Sequence, residues 1–315
     1  YEISECLVGS EMCIRDRDNI AKEDAYTLAL FAQDEIKLLR NLQALIGVRY
    51  IYHENFKNHA TPNVALMYKP GKFNFRASYA AGFRTPTLSE LYATDIAKKN
   101  DRLTIGNLDL KSEKNNYFSL SAEYVHERFS VSVNAFYNNI RDMIDYNTIA
   151  TGDKAMEQYG HKEVRQRDNI AEAKVHGINV SANAYLGAGF NLSGGYTHLN
   201  TQDVELEQPI DKSIKNAYNI NAQWAHSWKI YRLNINLNGR INSKRFSKSY
   251  GYAPEYQLWD LNTRHSFNLK SVIIEPGCGM ENLFDYMDDR PYNSNYATLT
   301  PGRSFYISLS LKFKS

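Results

Sequence analysis

The chain has 315 residues, room for one large domain or two ordinary ones, and its 37 Lys and Arg against 35 Asp and Glu leave a net charge of only +2. Charge so close to balance supplies no field for holding nucleic acid, which excludes that class of partner. Mean hydropathy is -0.53 and no run of about 18 apolar residues occurs, which excludes helical membrane spans but not a transmembrane barrel, whose strands alternate. Cys6, Cys13 and Cys278 are sparse, odd in number and without a CxxC pair, so they fit neither a disulfide framework nor a zinc cluster.

The first 18 residues, YEISECLVGSEMCIRDRD, stand apart. They lack strand alternation, carry two of the three cysteines, and resemble a translated adapter joined to genomic sequence. Residues 1–18 are therefore set aside as a non-native leader, and 19–315 are taken as the native segment.

From Asp24 onward the chain reads as strands. TLALFAQDEIKLL (27–39) turns at Arg40-Asn41 into LQALIGVRYIYHENF (42–56), and a polar break at 57–61 leads to PNVALMYK (62–69). Pro70-Gly71 is a strong turn pair. Residues 72–83 then alternate Phe73, Phe75, Ala77 and Tyr79 with Asn74, Arg76, Ser78 and Ala80, before the period fails in a long polar stretch, 84–113. Strands follow at 116–126 and 129–146, a glycine-bearing loop at 147–162, and a long strand at 163–186. Gly187 turns the chain into 189–200; further strands are expected at 215–228, 230–242 and 256–270, then a strand reaching 281–284, and finally 303–313. The sum is about 13 strands with no convincing amphipathic helix.

Connection length alternates along this series. Short turns fall near 40–41, 70–71, 127–128, 187–188, 228–229 and 271–272, and polar loops fall between them. An antiparallel meander places alternate connections at opposite ends, so one rim is trimmed and the other elaborated, as in outer-membrane barrels. The faces agree: Leu233, Ile235, Leu237 and Ile241 alternate with Arg232, Asn234, Asn236, Asn238 and Arg240, one set for lipid and one for a wet lumen. Soluble sandwiches and propellers also alternate. Runs of this length exceed their usual strands of about five or six residues and match the roughly 9–11 needed to cross a bilayer. The fold class is all-β, an antiparallel transmembrane β-barrel segment.

FRTPTLSELY (83–92) followed by GNLDLKSEKNNYFSLSAEY (106–124) resembles the barrel of TonB-dependent outer-membrane receptors, especially those of Bacteroidetes type. FYNNIRDMIDY (136–146), MENLFDY (280–286) and the terminal PGRSFYISLSLKF (301–313) are similar to family segments as well. The resemblance implies a barrel of 22 strands, of which this chain would supply about 13, with the plug domain missing. It implies the cell outer membrane, contact with outer-membrane lipid, the TonB-ExbB-ExbD energy complex acting through the missing N-terminal region, and a surface lipoprotein as a further partner. The expected function is TonB-dependent import of an iron chelate, siderophore or haem. A cobalamin receptor and a passive porin or surface-binding barrel are the alternatives.

Haem receptors of this family show FRAP, an iron-liganding histidine, and NPNL or NPDL. Here Phe83-Arg84-Thr85-Pro86 and Gly106-Asn107-Leu108-Asp109-Leu110 align with the two ends, but no histidine lies between 84 and 110. The imidazole ligand is absent from its expected place, which weakens the haem reading. His161 and Tyr159 are candidate substitutes from the loop 147–162, against the alternative that both are ordinary loop residues. Arg84 is a candidate to grip a substrate carboxylate or phosphate; its alternative is a structural pair with Glu90. Tyr92, Tyr146, Tyr250 and Tyr252 are candidate aromatic walls, with the interfacial girdle preferred for Tyr146 and Trp259. His53 and His59 belong to the outer rim, and His126 to the opposite one. No intrinsic cofactor is expected, and no metal ligands are assigned. HExxH, GxSxG and phosphate-loop motifs are absent, and nothing pairs a nucleophile with a base, so no enzyme is expected.

Overall fold

A computed structural model describes residues 8–11, 25–98, 100–247, 251–287 and 301–314. Cys6, Cys13, Tyr250 and most of the 1–18 leader lie outside them. In chain order the elements are β1 (Val8–Glu11), β2 (Tyr26–Leu39), β3 (Leu42–His53), β4 (Lys57–Tyr68) and β5 (Phe73–Arg84). Then come α1 (Leu88–Tyr92), β6 (Thr94–Ala97), β7 (Arg102–Ile105), β8 (Glu113–Val125) and β9 (Phe129–Thr151). They are followed by α2 (Gly152–Tyr159), β10 (Glu163–Gly187), β11 (Phe190–Asp203), β12 (Asn216–Trp228) and β13 (Tyr231–Asn242). The last are β14 (Arg245–Ser247), β15 (Gly251–Ala253), β16 (Tyr256–Asn268), β17 (Val272–Glu281) and β18 (Ser304–Phe313).

Thirteen of these strands reach ten residues or more, and each pairs antiparallel with its neighbour in the meander β2-β3-β4-β5-β8-β9-β10-β11-β12-β13-β16-β17-β18. No described pair joins the two ends of this sheet. Its outward face stays apolar to the last strand: Phe305, Ile307, Leu309 and Phe313 are 70%, 88%, 67% and 81% exposed. In water such a stripe would be an aggregation site; against hydrocarbon it is the expected covering. The opposite face carries Asn221, Gln223, Asn234, Asn236, Asn262 and Arg264, with cross-strand amide bonds such as Asn221 Nδ2 to Asn236 Oδ1 at 3.2 Å. No described helix is long and apolar enough to cross a membrane, which leaves crossing by strands untouched.

Three expectations need correction. β4 begins at Lys57, so the polar break expected at 57–61 is strand, and the connection is the turn 54–56. The polar run misled because His59 and Thr61 lie on an alternating strand whose register with β3 is continuous from His53↔Lys57. β9 ends at Thr151 rather than 146, carried past Asp142 by a positive φ of 54° and shifts of register against β10. Two short helices exist where none was expected, α1 and α2. Val8–Glu11 pairs with β2 from Val8↔Ala29 to Glu11↔Tyr26. A strand edge offers unpaired backbone groups to any extended segment, and alternation is not needed for that pairing.

Candidate functional site

At the end of the sheet opposite the tight turns, the stretch between β5 and β8 folds into a compact platform. It starts with Thr87, whose side chain accepts the Glu90 backbone N–H at 3.2 Å, while Glu90 Oε2 accepts the Thr87 N–H at 2.9 Å. This reciprocal capping box starts α1 immediately after Pro86. Glu90 has a second task. Its carboxylate receives Arg84 Nη1 at 2.8 Å, and the same guanidinium reaches Glu113 through Nε at 2.9 Å and Nη2 at 2.6 Å. Glu113 Oε1 also accepts the backbone N–H of Ile144 at 2.8 Å, so one arginine ties β5, α1, β8 and β9 together. Burial alone would push the Glu90 carboxyl up, but the hydrogen bonds from Arg84 and from the Thr87 backbone outweigh it and hold it below the ordinary carboxylate range.

The second motif closes on the first. Asn107 N–H donates to Glu90 O at 3.0 Å and Gly106 N–H to Ala93 O at 2.9 Å. A Cβ at Gly106 would lie 2.5 Å from Leu91 O and 2.9 Å from Tyr92 N, so only glycine lets the GNLDL segment pack on the end of α1. Beneath, Leu91, Leu110 and Ile144 form a buried cluster with Phe56 against it, a small core held outside the membrane span. Asn169 staples the far side: its Oδ1 accepts Lys111 N–H at 2.6 Å, and its Nδ2 donates to Lys111 O at 3.0 Å and Asp142 O at 2.6 Å.

The tip of this stretch reaches the next loop. β6 and β7 form a hairpin, and β7 adds parallel to the start of β10, from Arg102↔Glu163 to Ile105↔Gln166. Asp101, at a φ of 49°, accepts Lys162 N–H on its carbonyl at 3.0 Å, and its Oδ1 meets His161 Nδ1 at 2.9 Å. The hydrogen bond from His161 is the main cause that holds the Asp101 carboxyl below its ordinary range, with burial opposing and Lys162 N–H assisting. Two loops that read as separate in sequence are thus one body.

Of the four candidates, Arg84 has its donor fork turned to Glu90 and Glu113, and His161 is held by Asp101. Tyr92 closes α1, 36% exposed, and Tyr159 closes α2, half-buried. The four lie on the platform and its neighbouring loop. Tyr146 carries Arg167 over its ring at 3.7 Å from the centroid. It stands about nine positions beyond Tyr137 on β9, roughly 30 Å of strand. Trp259 does lie on the outward face, its ring across Gly239. Sequence reasoning missed Glu113, Asp101 and Asn169. The capping-box spacing Thr87 to Glu90 was visible; the long-range partners had no local signal. Among the described residues no group of three His, Cys, Asp or Glu could hold a metal ion.

A long-stranded meander with an apolar outside, a polar inside and one elaborated rim is the wall of an outer-membrane barrel. A family model described as TonB dependent receptor-like, beta-barrel, matches residues 8–283, and the chain belongs to that family. It is therefore a segment of an outer-membrane β-barrel. The ferric enterobactin receptor of Pseudomonas aeruginosa is 23% identical over 341 residues, spanning 97% of this chain and 45% of that protein. Among solved structures, a mutant of the same receptor superposes with a TM-score of 0.75 at 20% identity, over 95% of this chain and 46% of that one. The siderophore receptor PirA from Acinetobacter baumannii gives 0.74 at 16% identity, over 95% and 47%. At these identities the likeness concerns the fold, and the chain spans about half the length of the proteins it matches.

Proposed function

We propose that this chain is the later part of a receptor that imports a ferric chelate across the outer membrane under TonB control. The observation that carries the reading is the platform at the outer rim, where both family motifs fold into one rigid body fixed by Arg84, Glu90, Glu113 and Gly106. A passive pore needs no such structure at its mouth. The relatives point the same way, since two are named for ferric enterobactin and for siderophores. The rest of the parent protein would supply the plug and the segment engaged by the TonB-ExbB-ExbD complex, and a surface lipoprotein would present cargo. The Bacteroidetes-type subgroup rests on the FRTPTLSELY and GNLDLKSE segments alone.

Siderophore is preferred to haem. The stretch 84–110 holds no histidine, and of the histidines beside it His161 is held by the Asp101 carboxylate while His59 stacks on Phe83 and meets Ser112. Tyr92 and Tyr159 are proposed to touch the chelate, while Arg84 and His161 act by holding the surfaces that present them. Titrating the full-length receptor with ferric siderophores, haemin and cobalamin, followed by absorbance and fluorescence quenching, tests this. Submicromolar binding of a ferric siderophore is expected, and tight cobalamin binding with no response to either iron ligand would overturn it.

A further inference from the structure

On the outward face, ring-bearing residues run along one row of cross-strand partners: Tyr79↔Phe118, Phe118↔Tyr137 and Tyr137↔His176. Rings touch at two of these steps, with centroids 4.8 Å apart for Tyr79 and Phe118 and 6.4 Å for Tyr137 and His176. Inside this row the same face is apolar, with Leu120, Val133 and Ile178 exposed. That is the pattern of an aromatic belt at the boundary between hydrocarbon and headgroups.

Just beyond the belt the same face becomes cationic. Lys114 and Arg141 lie four positions past Phe118 and Tyr137, and Lys174 two positions past His176. Four strand positions are about 13 Å, or about 10 Å of depth after tilt, which is where headgroups lie. Lys114 and Arg141 are direct cross-strand partners. Like charges so placed repel unless an anion sits between them. The carboxylate that reaches the group is Glu172, at 4.0 Å from Arg141 Nε and 3.8 Å from Lys174 Nζ. Three cations thus face one carboxylate, with the Arg141 side chain 64% exposed. The register partners that flank the group are neutral: Phe83 opposite Lys114 on one side and Gln202 opposite Lys174 on the other.

We propose that Lys114, Arg141 and Lys174 bind the phosphate of a lipid headgroup against the outer rim of the barrel. The chemistry is a planar guanidinium fork with two ammonium groups, open on the side that faces lipid. The proposal rests on the barrel's place in the membrane, so it stands or falls separately from the imported cargo.

The test uses the full-length receptor in detergent with phosphatidylglycerol or phosphatidylcholine added, and counts retained lipid by native mass spectrometry. Wild type is expected to favour phosphatidylglycerol. Removing each cation should cost about fivefold in retention, so Arg141→Gln alone is informative should the triple variant K114Q/R141Q/K174Q fail to fold. A charge-matched control, Lys57→Gln with Lys98→Gln and Lys154→Gln, alters exposed positions away from the belt and should leave retention unchanged. Equal retention by wild type and the Arg141→Gln variant would overturn the proposal. So would displacement of the lipid by millimolar inorganic phosphate, which would assign the patch to a free anion.

Discussion

Arg84 and Glu113 are the last register partners of β5 and β8, and the guanidinium closes on the carboxylate with two bonds of 2.9 and 2.6 Å. The position matters more than the pair. It is where the regular sheet ends, and the same side chains continue into α1 through Glu90 and into β9 through the Ile144 N–H. The membrane wall and the external platform are joined at that point.

Arg84→Lys removes the fork while keeping the charge, and a single ammonium cannot serve both carboxylates in this geometry. The arginine side chain is 42% exposed, so screening limits the loss to about 1 kcal/mol of local stability. Hydrogen exchange on the full-length receptor should show the Ile144 and Asn107 amides opening roughly fivefold faster, with β2–β4 unaffected. Unchanged exchange at both amides would mean that the arginine does not hold the platform.

Gly106→Ala would place a methyl carbon 2.5 Å from a backbone oxygen that cannot move alone. We expect α1 and the GNLDL segment to separate at a cost of about 1–3 kcal/mol. Limited proteolysis should then cut between 85 and 111, a stretch expected to stay intact in the wild type. Continued resistance would show that the close approach is dispensable.

The Asp101 carboxyl is held below its ordinary range by His161, which sets the sign of a pH effect. A group depressed in the folded state stabilises fully above its free value of about 4, and the contribution fades as pH falls through the depressed value. Protection of the Lys162 amide, corrected for intrinsic exchange, should therefore hold from neutral pH down to about 4 and fall below it. Asp101→Asn should lower protection at neutral pH and flatten that acid dependence. An Asp101→Asn variant with the wild-type profile would show that the side chain is not part of the link.

The membrane wall was legible because lipid on one side and water on the other impose a period of two, as in Leu233 to Ile241, and because rim asymmetry shows in connection lengths. The platform was half legible. FRTPTLSELY and GNLDLKSE stood out as motifs, yet their mutual packing rests on pairs such as Arg84 with Glu113 and Asn107 with the Arg167 carbonyl, 29 and 60 residues apart. Such pairs leave no periodicity. The extension of β9 to Thr151 was hidden for another reason: a polar strand above the membrane has no lipid-facing side to mark it.

Import itself is tested most directly by radioiron uptake in cells making the full-length receptor, with ferric siderophore supplied and TonB either active or removed. Accumulation should depend on both the receptor and TonB, and should weaken when Gly106→Ala disrupts the platform. Equal uptake without TonB would contradict it and make the barrel a passive pore.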